Sequence, residues 1–256
     1  MTMDYSPLQT DVDVIASFFD DVESGLSQIS LGIPEPEESH EFAVDHKEFR
    51  IRLANTQDRR ESASILINKM YSWRGYNSNN TLEENPNRIT LIASDNHDVI
   101  GTLSIGLDSP MGLFADEMYH EELEALRREG RKICEYNKLA IDPAIKTKRI
   151  IASLFHVAYL YPYGIFGHTD GVLEVNPRHV KFYERMLGFT RIGPERICPR
   201  VDAPAVLLLT NFAHMAKQVE TFGGLMENAH GEKSLYPYFF TKADEAGILG
   251  RLKSIA

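Results

Sequence analysis

Glu135 heads the string Glu135-Tyr136-Asn137-Lys138-Leu139-Ala140-Ile141-Asp142-Pro143. A carboxylate there can take a proton from an amine or bind the ammonium, or it can serve only in a structural ion pair. Tyr183 offers a hydroxyl donor, although its helical spacing equally suits a core tyrosine. Lys146, Lys148 and Arg149 crowd the start of an apolar helix, where the backbone dipole disfavours cations. A bound anion explains that crowding better than surface decoration does. Arg74 beside Trp73 places a cation next to an aromatic face in a polar loop. Cys134 reads as a buried strand residue rather than a nucleophile, because no His partner is evident. The chain has no G-x-S-x-G elbow, Walker loop, G-x-G-x-x-G or H-E-x-x-H. Its histidines stand mostly singly, so no metal site is expected.

These residues need a scaffold, and the apolar patterning supplies one. Phe49–Ala54 alternates as a strand, and Thr56 can cap a helix that carries Ala63, Leu66, Ile67 and Met70 on one face. Arg88–Ala93 and Val99–Ile105 read as strands joined by a turn over residues 94–98. Ala115–Glu129 reads as a charged surface helix, and Lys132–Ile141 as a strand. Lys148–Tyr161 is a helix with Ile150, Ile151, Leu154, Phe155 and Ala158 on its buried side. Gly171–Val175 is a short buried strand, and Pro177 opens a helix that stops at Gly188. Arg191–Arg196 and Ala205–Leu209 suit a last hairpin. Near the N-terminus, Val14, Ile15, Phe18 and Phe19 fall at helical spacing, followed by Leu26, Ile29 and Leu31 and the breaker 32–36. The expected fold is α+β, a mixed central sheet flanked by helices.

Charge divides the chain unevenly. Eleven of its 37 acidic residues lie in residues 1–45, which contain no Lys or Arg, so the remainder is nearly neutral. The net charge of −10 argues against non-specific nucleic-acid binding, which requires neutralising phosphates. Two cysteines make no disulfide framework and point to a reducing cytoplasm. No apolar run is long enough to span a bilayer, and no secretory leader pattern is visible. Three segments are expected: an acidic N-terminal extension (1–45), a main domain (46–210) and a C-terminal helical extension (211–256). Deleting residues 1–45 is expected to leave a folded core.

The element order resembles the GNAT-type N-acyltransferase fold. The string from Asn176-Pro177-Arg178-His179 to Tyr183-Glu184-Arg185-Met186-Leu187-Gly188-Phe189 resembles its motif B. The Glu135 string resembles the fourth strand of that fold. It is closer still to the acyl-homoserine-lactone synthase and N-acyl amino acid synthase branches, whose strand has the form E-x-x-R/K-L-A-V. The stretch Leu107–Leu126 is similar to an insertion that those synthases carry. One departure stands out: the loop at residues 146–151 has none of the glycines with which the family wraps a diphosphate.

The resemblance implies a bacterial acyltransferase using an acyl-phosphopantetheine donor, with no tightly bound cofactor. In this reading Glu135 takes the amine proton and Tyr183 donates to the departing thiolate. Leu139, Ala140 and Ile141 hold the pantetheine through their backbone, together with Asn176. The missing glycines favour a donor with one phosphate, acyl carrier protein, gripped by Lys146, Lys148 and Arg149, over coenzyme A. Trp73 and Arg74 stand near the substrate, and Phe114, Met118, Phe155 and Tyr159 line a tunnel for a long acyl chain. Glu135→Gln is expected to lower turnover far more than stability. An acetyl-CoA-dependent GNAT enzyme and a non-catalytic binding protein on the same fold are the alternatives.

Overall fold

The computed structural model describes residues 13–23, 44–76, 79–95, 98–145 and 147–255. The apolar residues near the N-terminus form a strand, not the expected helix. Strand β1 (Ala16–Glu23) pairs antiparallel with β2 (Val44–Leu53), placing Phe18 opposite Phe49 with ring centroids 5.5 Å apart. Ile15, Ala16 and Phe18 are buried in the main core. The open edge of β2 is what decides it, since strand pairing and burial override weak local helical spacing. The expected pattern over Leu26, Ile29, Leu31 and 32–36 lies outside the described residues.

The remaining elements follow the expected order. They are α1 (Gln57–Trp73), β3 (Arg88–Asp95), β4 (Asp98–Leu107), α2 (Asp116–Arg128), β5 (Ile133–Ile141) and α3 (Lys148–Leu160). After them come β6 (Asp170–Val175), α4 (Val180–Leu187), β7 (Thr190–Arg191), β8 (Arg196–Cys198), β9 (Ala203–Asn211), α5 (Phe212–Phe222) and α6 (Lys242–Ile255). Thr56 caps α1 by accepting the Arg59 N–H, and Gly188 ends α4 with φ 72°. The expected last hairpin is interrupted at Gly193-Pro194, so β7 and β8 pair with β9 separately.

The sheet runs β1-β2-β3-β4-β5-β6-β9-β7. Every pair is antiparallel except β5–β6, which α3 connects as a crossover. Helices α1 and α2 cover one face. There α1 buries Leu66, Ile67 and Met70 against Ala140, and α2 buries Tyr119 and Leu123 against Ile133 and Val172. On the other face α3 packs over Leu103, Tyr136 and Leu173. Lys138, with φ 53°, sits at a shift in the β4–β5 register. That extra residue lets Asn137 and Ala140 share a face although they are three apart.

Helix α3 is apolar nearly all round, so it needs cover on its outer side too. Residues 211–256 supply that cover, and they join the same core as the sheet through Phe212, Met215, Tyr236, Phe239, Ile248 and Leu252. His156 of α3 is fully buried under them and stacks on Phe239 with centroids 4.8 Å apart. Its Nδ1 accepts the Phe240 N–H at 3.0 Å, so Nε2 carries the proton and donates to Glu245 at 3.1 Å. Burial holds the His156 pKa below its ordinary value. Arg251 of α6 donates to the Ile15 carbonyl at 2.6 Å, tying both ends of the described chain together.

The harmless loss of residues 1–45 is therefore revised. Truncation removes β1 and bares the edge of β2 and the surface that Ile15 and Phe18 cover. Ile15→Ala and Phe18→Ala should each cost about 2–5 kcal/mol in denaturant unfolding. The 1–45 deletion should melt lower than the full chain and self-associate. Unchanged midpoints would mean that β1 contributes nothing to the core.

Candidate active site

Pairing between β5 and β6 runs from Ile133–Asp170 to Tyr136–Leu173 and stops. Beyond it the two strands diverge, and the β6-facing backbone of β5 has no strand partner. A cleft of about 660 Å³ fills the gap and reaches from one face of the sheet to the other. Such a volume is typical of small-molecule sites. Its apolar part is lined by Leu103, Leu139, Ile141, Ile151, Phe155 and Leu173. Tyr183 of α4 and Tyr71 of α1 also line it. Burial raises both phenols, Tyr71 to about 12 and Tyr183 further still, so both remain protonated at neutral pH.

The polar part lies on the α1–α2 face. Glu135 is 1% exposed, yet it borders the cleft. Its Oε2 accepts the Phe114 N–H at 2.9 Å, and its Oε1 accepts the Ala115 N–H at 3.0 Å, just ahead of α2. Burial and the charge of Glu174 push the Glu135 pKa up to about 7. The Phe114 N–H, Arg88 and Arg200 oppose that rise. Gly106 pairs with Glu135 across the strands and has no side chain, which leaves room for the Arg88 guanidinium. That guanidinium lies 3.5 Å from the Phe114 ring centroid. Arg200 donates to the Phe114 carbonyl at 2.9 Å and pairs with Glu117 and Glu174. Phe114 and Glu135 are thus fixed as one unit.

Of the residues expected at a site, the cleft gathers Glu135, Tyr183, Leu139, Ile141, Asn176, Arg74, Phe114 and Phe155. Ala140 turns its side chain into the α1 cluster instead. Trp73 is 73% exposed and borders nothing in the cleft. Met118 packs against the α2 cluster, and Tyr159 is buried among His156, Tyr163 and Phe212 on the far side of α3. Neither lines the tunnel expected of it.

Lys146 lies outside the described residues. Lys148 stands 5.5 Å from the Tyr238 ring, and Arg149 donates to the Phe19 carbonyl at 2.6 Å beneath the Phe18 ring. The anion implied by cations at this helix start is present in the chain itself. Asp20 of β1 accepts from Thr147, the cap of α3, and its charge supports Arg149. Sequence reading missed Asn137, Glu174, Arg200 and Tyr71. A charged residue in an apolar strand was a signal for Glu174, whereas Arg200 in its loop gave none.

Comparison with known proteins bears directly on this cleft. Residues 62–211 match the N-acyl amino acid synthase FeeM family. The chain belongs to that family. It is an acyltransferase, and the expectation of a GNAT-like fold holds. FeeM, an N-acyl amino acid synthase from uncultured soil microbes, shares 27% identity at a TM-score of 0.59, over 66% of this chain and 93% of that one. An acyl-CoA N-acyltransferase from Pseudomonas aeruginosa shares 13% identity at 0.46, over 63% of this chain and 97% of its own. The acyl-homoserine-lactone synthase LasI shares 14% at 0.45, over 65% and 91%. No curated protein matches the chain. Strands β1 and β2 and most of the C-terminal segment lie outside the stretch that matches the synthase family. No described helix is long and apolar enough to cross a membrane.

The double acceptance at Glu135 changes what a substitution there does. In Glu135→Gln an amide N–H₂ must face a backbone N–H, so the variant should lose about 1–3 kcal/mol, not remain near neutral. Ionising a carboxyl whose folded pKa is raised costs stability as pH rises from its ordinary 4.5 to about 7. Melts of the two proteins should therefore converge as pH rises through that window. A gap that widens would show that Glu135 is ionised throughout it.

Proposed function

We propose that this synthase moves a long acyl group from the phosphopantetheine thioester of an acyl carrier protein to the amine of an amino acid or related small molecule. Family membership supports amine acylation, and the split between β5 and β6 is the observation that carries the reaction. An extended pantetheine arm can take the place of the missing strand partner beside Leu139–Ile141. The apolar part of the cleft then receives the acyl chain. The amine nitrogen attacks the thioester carbon, the C–S bond breaks, and the amide forms. Glu135 takes the amine proton, directly or through one water, and Tyr183 donates to the leaving thiolate. Backbone N–H groups of β5 stabilise the oxyanion. Holding both reactants in contact lowers the barrier by several kcal/mol, about 7 or more in ideal cases.

The carrier-protein donor is supported by charge at the mouth. Arg74 borders the cleft, and Arg178, Lys181 and Arg185 are exposed on the segment that follows β6. None has a carboxylate partner among the described residues, in a chain of net charge −10. An acidic carrier domain is complementary to that rim, which takes over the docking role first assigned to residues 146–149.

Mass spectrometry of products from carrier-protein and coenzyme A thioesters, with a panel of amino acids, tests the reading. Carrier-protein thioesters should give an N-acyl product. Replacing Arg178 and Lys181 together with Glu should raise the KM for them about fivefold or more and flatten its salt dependence, with little change in kcat. Equal use of coenzyme A thioesters, unaffected by the double substitution, would remove the carrier-protein donor. No acyl product from either donor would remove the function itself.

The pH profile tests the base. With Glu135 near 7, kcat/KM should rise with pH to a plateau above about pH 8. A flat profile from pH 5.5 to 8.5 would assign the proton elsewhere.

A further inference from the structure

Carried one step past Tyr136–Leu173, the β5–β6 register sets Asn137 opposite Glu174. These are the first two residues of the split, and both line the cleft. They share the sheet face of Glu135, since alternation places residues 135 and 137 together, and residue 174 beside 172, the partner of 135. Both carry buried polar atoms with nothing to bond. Asn137 has neither Nδ2 nor Oδ1 satisfied, and Glu174 leaves Oε1 without a partner while Arg200 holds its other oxygen. A buried polar atom left unpaired costs about 1–3 kcal/mol, so a set of three at one throat calls for a ligand that completes it. The other unpaired atoms of Ser153, Tyr159, His168 and Thr210 border no part of this cleft.

The unsatisfied set has a definite chemistry. Glu174 Oε1 and Asn137 Oδ1 accept, and Asn137 Nδ2 donates. A primary ammonium with an oxygen acceptor three bonds away fills all three, as an α-amino acid does. Arg88, whose Nε is also buried and unpaired, stands beside Glu135 without lining the cleft, and its charge offsets part of the carboxylate charge there.

We propose that Asn137 and Glu174 form the acceptor subsite, seating the ammonium of an α-amino acid between Glu174 and Glu135. The proposal rests on the acyl-transfer reading. Glu174 and Asn137 hold the amine at the point where the donor thioester reaches the split, and Glu135 removes its proton. They are positioning residues, so their loss should weaken acceptor binding and leave donor binding intact.

Two variants and two readouts test this. Asn137→Ala breaks no bond in the structure, and Glu174→Gln keeps the side-chain shape. Each should raise the KM for the amino acid about tenfold or more, with the KM for the acyl thioester within about twofold of wild type. Amino acids alone should raise the melting temperature of the wild-type protein and do so much less for either variant. That second readout needs no turnover, so it separates the subsite from the reaction. Equal stabilisation of wild type and both variants, or none of wild type, would overturn the proposal. So would a KM for the donor that rises in step with that for the acceptor. Wild-type stabilisation without turnover would leave the subsite standing and remove only the acyl-transfer reading.

Discussion

One hydrogen-bond ladder that stops early organises this protein. Strands β5 and β6 are the only parallel pair among the described residues, and they part after four residue pairs. Sheets normally satisfy every backbone group of an interior strand, so an interior strand with a bare edge is costly unless a ligand covers it. The elements around the split keep it open. Helix α3 leaves from one strand and returns to the other, α4 begins just past the end of β6, and β9 holds the far side of β6. The bulge at Lys138 falls just beyond the last pair and re-aims the strand there.

The two faces of the sheet then divide the work. On the α3 side, large apolar side chains line the gap. On the α1–α2 side a row of small or polar residues crosses the strands, with Thr90, Ser104 and Asn137 in one line and Arg88, Gly106 and Glu135 in the next. Thr90 and Ser104 satisfy each other at 2.7 Å, while Asn137 has no such neighbour. An apolar guest and a polar one can therefore meet at the split from opposite faces, each desolvated by surroundings of its own kind.

Most of the scaffold was legible in the sequence because its elements are locally consistent. Phe49–Ala54 alternates, Thr56 caps, and Pro177 and Gly188 bracket a helix, so pattern and fold agree. Glu135, Tyr183, Phe155 and Asn176 could be picked out because they sit in strings of recognisable form. What the sequence hid depends on distant neighbours. Whether Val14–Phe19 coils or extends depends on β2, and whether Tyr159 lines a tunnel depends on which side of α3 residues 211–256 cover. The cations at 148–149 marked an anion correctly but not its source, because Asp20 is more than a hundred residues away. Asn137 was invisible, since only the register of β5 against β6 gives it a facing partner.

The tie between Arg251 and the Ile15 carbonyl spans 236 residues of sequence. A ribosome delivers Ile15 long before Arg251, at roughly 5–20 residues per second. During that interval β1 can pair with β2, but the contact that α6 makes with it does not yet exist. Helix α3, apolar nearly all round, also waits for the α6 that covers its outer side, over the shorter stretch from Leu160 to Lys242. The nascent chain therefore carries a bare apolar helix and a half-fastened edge strand until α6 emerges, and both are open to wrong contacts throughout that interval.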